Sequence, residues 1–249
     1  MKKTKLIISI CINLLITALV VMSTVFMMTG YRFMAGSDLI LTGDKAQALK
    51  FFTVDSNLLM GAIALLFVVF EILLILGKTD KLPKWLYIVK HMGTVGVVLT
   101  FITTACFLAP FLVDDYWLLF KNSNLFFHAI IPILSLITWV VLEDVDEIEW
   151  KYSFIGMIPM VIYAVFYCIV ALTHVENGAV PAEYDWYGFL RGGIAFAGVA
   201  LPVMLIGTYA IAFLLWLGNK GFYKLYNRNE PIEQEGTGEV VPDETEIQE

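Results

Sequence analysis

The sequence predicts an all-α, polytopic membrane protein of six transmembrane helices, with both the N-terminus and the C-terminus cytoplasmic. Three observations predict it. Hydrophobic residues make up 59% and charged residues 16% of the 249 residues, and mean hydropathy is +0.78. Soluble domains sit near ~45–50% apolar and ~25% charged. Six mostly apolar stretches approach or exceed the ~20 residues a helix needs to cross the hydrocarbon core. None shows the period-two alternation of outer-membrane barrel strands. Finally, Lys and Arg are unevenly shared between the connecting loops, which sets the orientation of the spans.

The first span is 6–28, behind Lys2, Lys3 and Lys5. Its apolar run of about 23 residues exceeds the ~7–15 of a signal-peptide core, so it reads as a retained helix. The second is 52–76, interrupted by Asp55 and Glu71, and the third is 86–112, with Lys90 and His91 near its start. The fourth, 125–142, contains His128; the fifth is 154–173 and the sixth 192–217. With six spans and an inner N-terminus, 11 of the 16 basic residues fall inside and five outside. The outer five are Arg32, Lys45, Lys50, Lys121 and Arg191. The acidic run 143–149 then lies inside, which the rule tolerates because acids count little.

The net charge of −7 divides unequally. Residues 1–228, the transmembrane domain, carry 16 bases and 15 acids. Residues 229–249 carry eight acids and no base, which reads as a disordered cytoplasmic tail. No basic face exists for nucleic acid. Cys11, Cys106 and Cys168 have no metal spacing and read as small buried hydrophobes. Trp85, Trp117, Trp150, Trp186 and Trp216 fall near span ends and read as an aromatic belt. Gly192, Gly193, Gly198 and Gly207 are expected to let span six pack closely. Pro110, Pro132, Pro159 and Pro202 are expected to bend or break their spans.

Polar residues inside a bilayer are costly, and each needs a reason. Most collect at one depth near the outer face. Span two opens with Thr53, Asp55, Ser56 and Asn57; span four opens behind Asn122, Ser123 and Asn124 and reaches His128. Tyr184, Asp185, Trp186, Tyr187 and Arg191 precede span six. Thr53, Ser56 and Asn57 are i, i+3 and i+4, so they share a helix face, while Asp55 points elsewhere. Asn124 and His128 are also i, i+4. Two helices packed ~8–10 Å apart can bring Thr53 and His128 together. Glu71 and Lys90 flank the inner hairpin symmetrically and are expected to form an ion pair. No pair of ligands at metal spacing exists, so neither a metal nor any other cofactor is expected.

Phe-Phe-Thr-Val-Asp-Ser-Asn-Leu-Leu at 51–59, Phe-His-Ala-Ile-Ile-Pro at 127–132 with Trp139, and Asp-Trp-Tyr-Gly-Phe-Leu at 185–190 are the pieces that carry a resemblance. Over about residues 5–220 the chain resembles the bacterial six-helix branch of the androgen-induced-gene / FAR-17a family. Animal members of that family are intramembrane threonine hydrolases of fatty-acid esters of hydroxy fatty acids. The resemblance implies Thr53 as nucleophile, His128 as base and a lipid ester as substrate. Candidate oxyanion and substrate contacts are then Asn57, Ser56 and Asn124, with Asp185 able to orient His128 and Arg191 able to hold a substrate carboxylate. Two other classes fit the same sequence. The intramembrane charges suit an ion- or proton-coupled small-solute transporter. The acidic tail suits a non-catalytic scaffold that recruits a partner.

Overall fold

A computed structural model describes residues 3–34, 45–112, 115–143, 148–190 and 193–228. Lys2, Arg191, Gly192, residues 144–147 of the acidic run and the tail 229–249 lie outside the described residues. The chain is helical, and no β-strand occurs among the described residues. Six principal helices follow one another: α1 (Lys3–Thr29), α2 (Phe52–Ile75), α3 (Lys84–Leu108), α4 (Ser123–Leu142), α5 (Ile158–Thr173) and α6 (Gly193–Arg228). The upper end of the bundle is the one where α2 and α4 begin.

Five of these, all but α5, are long and apolar enough to cross a membrane. The fifth expected span is instead a 16-residue helix preceded by a separate turn, Tyr152–Gly156. Pro159 has no N–H to donate to Ile155, so the helix stops at Met157 and restarts behind it. At ~1.5 Å per residue α5 is ~24 Å long, short of a ~30 Å hydrocarbon core.

The distribution of side chains is that of a bundle in a nonaqueous solvent. Ser9, Asn13, Asn57, Lys90, His91, Thr94 and Asn219 are buried, while Ile162, Ile206 and Leu225 are more than 60% exposed. Large contiguous apolar surface of this kind marks a lipid or partner interface. The cysteines follow the same rule and correct the expectation of burial: Cys11 and Cys106 are exposed and Cys168 is half-buried. Cys11 and Cys106 lie on the outward faces of their helices, where an apolar solvent accepts a small thiol, and Cys168 packs against the edge of the core.

α1 buries Leu6, Ser9, Asn13, Ile16, Val20, Ser23 and Met27. Steps of three and four alternate, the seam of a left-handed helix pair, and α2 is the partner. Close approach needs glycine at that seam: a Cβ on Gly61 would stand 2.9 Å from Val20 Cγ1. Thr17 Oγ1 uses the gap to donate to Gly61 O at 3.2 Å. Two of the glycines expected to serve span six do not act in this way. Nothing lies within 4 Å of the Cβ position of Gly198 or Gly207, so the expected close packing there is not formed. α3 is the central helix, packed against α2, α4, α5 and α6.

Besides Pro159, two more prolines disturb their spans. Pro110 and Pro132 each follow a widened π turn, at Thr104–Leu108 and Phe126–Ile130. A proline ring clashes with the carbonyl four residues back, and a wider turn relieves the clash. Ala109 N–H therefore donates to Thr104 O, and Ile131 N–H to Phe126 O, five residues back. Pro202 sits inside an unbroken α6.

At the lower end, α2 stops in a Schellman motif. Gly77, at φ +65°, follows the last helical turn, and Lys78 N–H donates to Leu73 O at 2.9 Å. The hairpin brings Glu71 and Lys90 to one depth, but the expected ion pair between them is not the one formed. The Lys90 ammonium turns to Glu143, 3.8 Å away at the end of α4. Two of the expected belt tryptophans also turn inward: Trp186 Nε1 donates to Tyr163 Oη at 2.9 Å and Trp216 Nε1 to Ile148 O at 2.8 Å. Trp85, Trp117 and Trp150 remain exposed.

Candidate functional site

The upper end holds a small cavity of about 60 Å³. Its polar wall is Thr53 from α2 with Asn124 and His128 from α4. Its apolar wall includes Met27, Leu108 and Phe127, and Phe51, Trp186 and Tyr187 close it from the loops. Such a volume admits a few waters or the head of an ester, not an acyl chain.

Thr53 stands in the first turn of α2, where backbone N–H groups lack intrahelical partners. The Tyr187 hydroxyl accepts one of them, from Phe52 N at 3.0 Å. The loop before α6 thereby caps the helix that carries Thr53. Burial and the neighbouring Tyr163 hold the Tyr187 phenol well above its usual range, so it stays a neutral hydroxyl.

His128 is placed by three local features. Asn122, in a left-handed conformation with φ +55°, starts α4, and its Oδ1 accepts from Phe33 N and Met34 N, each at 2.8 Å. The short helix Tyr116–Phe120 lies against the same turn. The π turn before Pro132 then rotates His128 into the bundle, where it is 5% exposed. Its Nδ1 lies 2.7 Å from Leu119 O. A carbonyl only accepts, so Nδ1 carries the proton and Nε2 keeps the lone pair. The Phe120 ring meets the imidazole edge-on at 6.3 Å.

Asn57 joins the two halves. Fully buried, it donates through Nδ2 to Thr53 O at 2.7 Å and to Phe127 O at 3.1 Å. One amide thus fixes the turn of Thr53 against the turn of His128. Those donors are committed, which removes Asn57 from the pool available to a bound oxyanion. Ser56 is likewise engaged, with Thr53 O at 3.1 Å and Thr100 Oγ1 at 3.2 Å, on the side facing α3. Asn124 is the expected amide that does line the cavity.

Asp185 is not on the cavity wall. It is fully buried in its own loop, accepting from the Tyr167 hydroxyl and from Leu190 N at 3.0 Å. The group that orients His128 is a backbone carbonyl instead. Arg191 lies outside the described residues. Asp55 is exposed on the opposite face of α2, as its helical position requires.

The structure therefore brings Thr53, Asn124 and His128 to one cavity and sends Asn57 and Ser56 into its framework. No hydrogen bond joins Thr53 to His128 among the described residues. Sequence reasoning missed Leu119, whose carbonyl leaves no trace in a side-chain pattern. It also gave Trp186 no role beyond a membrane belt. Lys50, read only as an outer loop charge, stands over one of the lining rings, its Nζ 5.5 Å from the centroid of Trp186. No group of three or more potential metal ligands occurs among the described residues. No protein-family model, curated protein or solved structure matches this chain.

Proposed function

We propose that this chain is an intramembrane hydrolase of lipid esters, with Thr53 as nucleophile and His128 as base. One observation carries the reading: Thr53 and His128 line the same cavity, and the Leu119 carbonyl leaves the imidazole with its lone pair on Nε2. The resemblance of 51–59 and 127–132 to motifs of the androgen-induced-gene / FAR-17a family supports the same pair. The chain is taken to cross a bacterial-type plasma membrane six times with both ends cytoplasmic, as the distribution of Lys and Arg favours. That orientation puts the cavity near the outer leaflet.

The chemistry follows from the groups present. A threonine alcohol is a poor nucleophile at neutral pH and needs an adjacent base. As a substrate enters, His128 Nε2 takes the Thr53 Oγ1 proton while Oγ1 attacks the ester carbonyl. The tetrahedral oxyanion needs a donor, and the Asn124 amide is the side chain in place for it. Collapse breaks the ester C–O bond, and the alcohol departs with the proton from His128. Water, deprotonated by His128, then attacks the acyl-threonine. The fatty acid leaves and Thr53 recovers its proton. The cavity holds only the ester head, so acyl chains must extend between helices into lipid, past Met27 and Leu108.

A fluorophosphonate probe tests the reading on purified protein in detergent, with mass spectrometry to map the adduct. An adduct on Thr53 is expected in the wild type and absent from Thr53→Ala and His128→Ala. Folded wild type that gives no adduct at any pH removes the activated threonine.

A further inference from the structure

The lower end of the bundle buries three charged side chains that ester hydrolysis does not use. Lys90 and Glu71 are fully buried and Glu143 is 2% exposed. The Lys90 ammonium donates to Asn13 Oδ1 and lies 3.8 Å from Glu143 Oε1. It also sits over the Phe67 ring, 4.5 Å from the centroid. Both oxygens of Glu71 are buried, and neither makes a hydrogen bond of good geometry, although Ser9 and Asn13 stand close enough to act on the carboxylate. The groups beside them are Ser9, Asn13 and Lys90.

We propose that Glu71 is a proton-binding site, whose exchangeable proton decides which of two carboxylates holds the Lys90 ammonium. An ionised carboxylate removed from water and left unpaired is far more costly than a carboxylic acid. The ammonium has already turned to Asn13 and Glu143, which leaves Glu71 to be neutralised by a proton. A metal cation does not suit the space, because the Lys90 ammonium occupies it and repels like charge. Loss of the proton to water makes Glu71 a competitor for Lys90.

The other groups that face this exchange are few. Lys5 of α1 lines a recess with Glu143, and Tyr223 and Tyr226 of α6 rim it. His91, next to Lys90, turns away to Trp139, with ring centroids 4.8 Å apart. Movement of Lys90 from Glu143 to Glu71 has a mechanical consequence. The Glu143 backbone carbonyl accepts from Asn219 Nδ2 at 2.9 Å, and the Trp139 carbonyl from the same nitrogen at 2.6 Å. The pair therefore sits where α6 is fastened to the lower end of α4. His128 is on the upper half of that helix.

Infrared difference spectroscopy tests this on the full chain in proteoliposomes, stepped from mildly acid to mildly alkaline pH, with isotope-labelled glutamate. The expected result is a protonated-carboxyl band at neutral pH that shifts with the label and disappears at high pH. It should be absent from Glu71→Gln and weakened in Glu143→Gln, which frees the Lys90 ammonium to pair with an ionised Glu71. Folded wild type without such a band overturns the proposal, and this arm needs no variant to fold. A band that survives in Glu71→Gln overturns it as well.

Discussion

The two ends of this bundle both bury polar groups, and they do so by opposite means. The upper end uses neutral side chains, Thr53, Asn57, Asn124 and His128, and ties two of them, Asn57 and His128, to backbone carbonyls of neighbouring turns. Those ties cost little and leave a cavity open. The lower end buries ionisable side chains from three helical segments against one another. Neutral groups satisfied by backbone can be left with one functional atom free, as His128 Nε2 is. Charges buried together have to neutralise one another, so a change at one is felt by all. The upper end keeps a small cavity beside a free ring nitrogen, and the lower end packs ionisable groups against one another.

The comparison can be broken by substitutions at either end. The largest effect is expected from His128→Ala, which removes the proton acceptor. Turnover of a chromogenic lipid ester should fall about 10²–10⁴-fold, with the unfolding transition little changed; retained turnover would refute the assignment. Next comes Lys90→Met, which strips the counter-ion from the buried Glu143 carboxylate. The loss should be about 3–5 kcal/mol, read from equilibrium unfolding in mixed detergent, and far larger than for Glu71→Gln. Equal effects of the two variants would mean that Glu71 is the true partner of Lys90. Asn57→Ala should cost about 1–3 kcal/mol and also lower turnover, since it uncouples the Thr53 turn from the His128 turn. An effect on stability alone would make Asn57 structural only. The smallest change is expected at the exposed pair Lys121–Asp115, with Nζ and Oδ2 3.2 Å apart. Lys121→Ala should stay within about 0.5 kcal/mol, although Asp115 lies in the segment leading to Leu119. A larger loss would show that this segment is held by its charges.

Much of the helix plan was legible in the sequence because hydrocarbon thickness and proline chemistry are read from composition and spacing. The expected spans 6–28 and 52–76 coincide with α1 and α2 to within a few residues. Pro110 and Pro132 marked the widened turns. The shared face of Ser56 and Asn57, and the outward position of Asp55, followed from helical periodicity alone. Pro159 likewise marked the break in the fifth span, although hydropathy alone is blind to it. The partner of Lys90 was not legible. Sequence symmetry about a hairpin favours Glu71, whereas the ammonium answers to Asn13 and Glu143, which are remote in sequence and adjacent only after α1 and α4 have packed.

What the sequence by itself determined is the all-helical plan, the apolar exterior and the two residues around which a cavity forms. These depend on local pattern, and local pattern survives without knowledge of neighbours. Only the tertiary structure decided which polar atoms are spent and which are free. It committed the Asn57 amide to two carbonyls, drew Asp185 into its own loop, and set the tautomer of His128 through the carbonyl of Leu119. The physical reason is that hydrogen bonds are allocated by distance in space, and a backbone carbonyl is the same in every residue until the fold aims it.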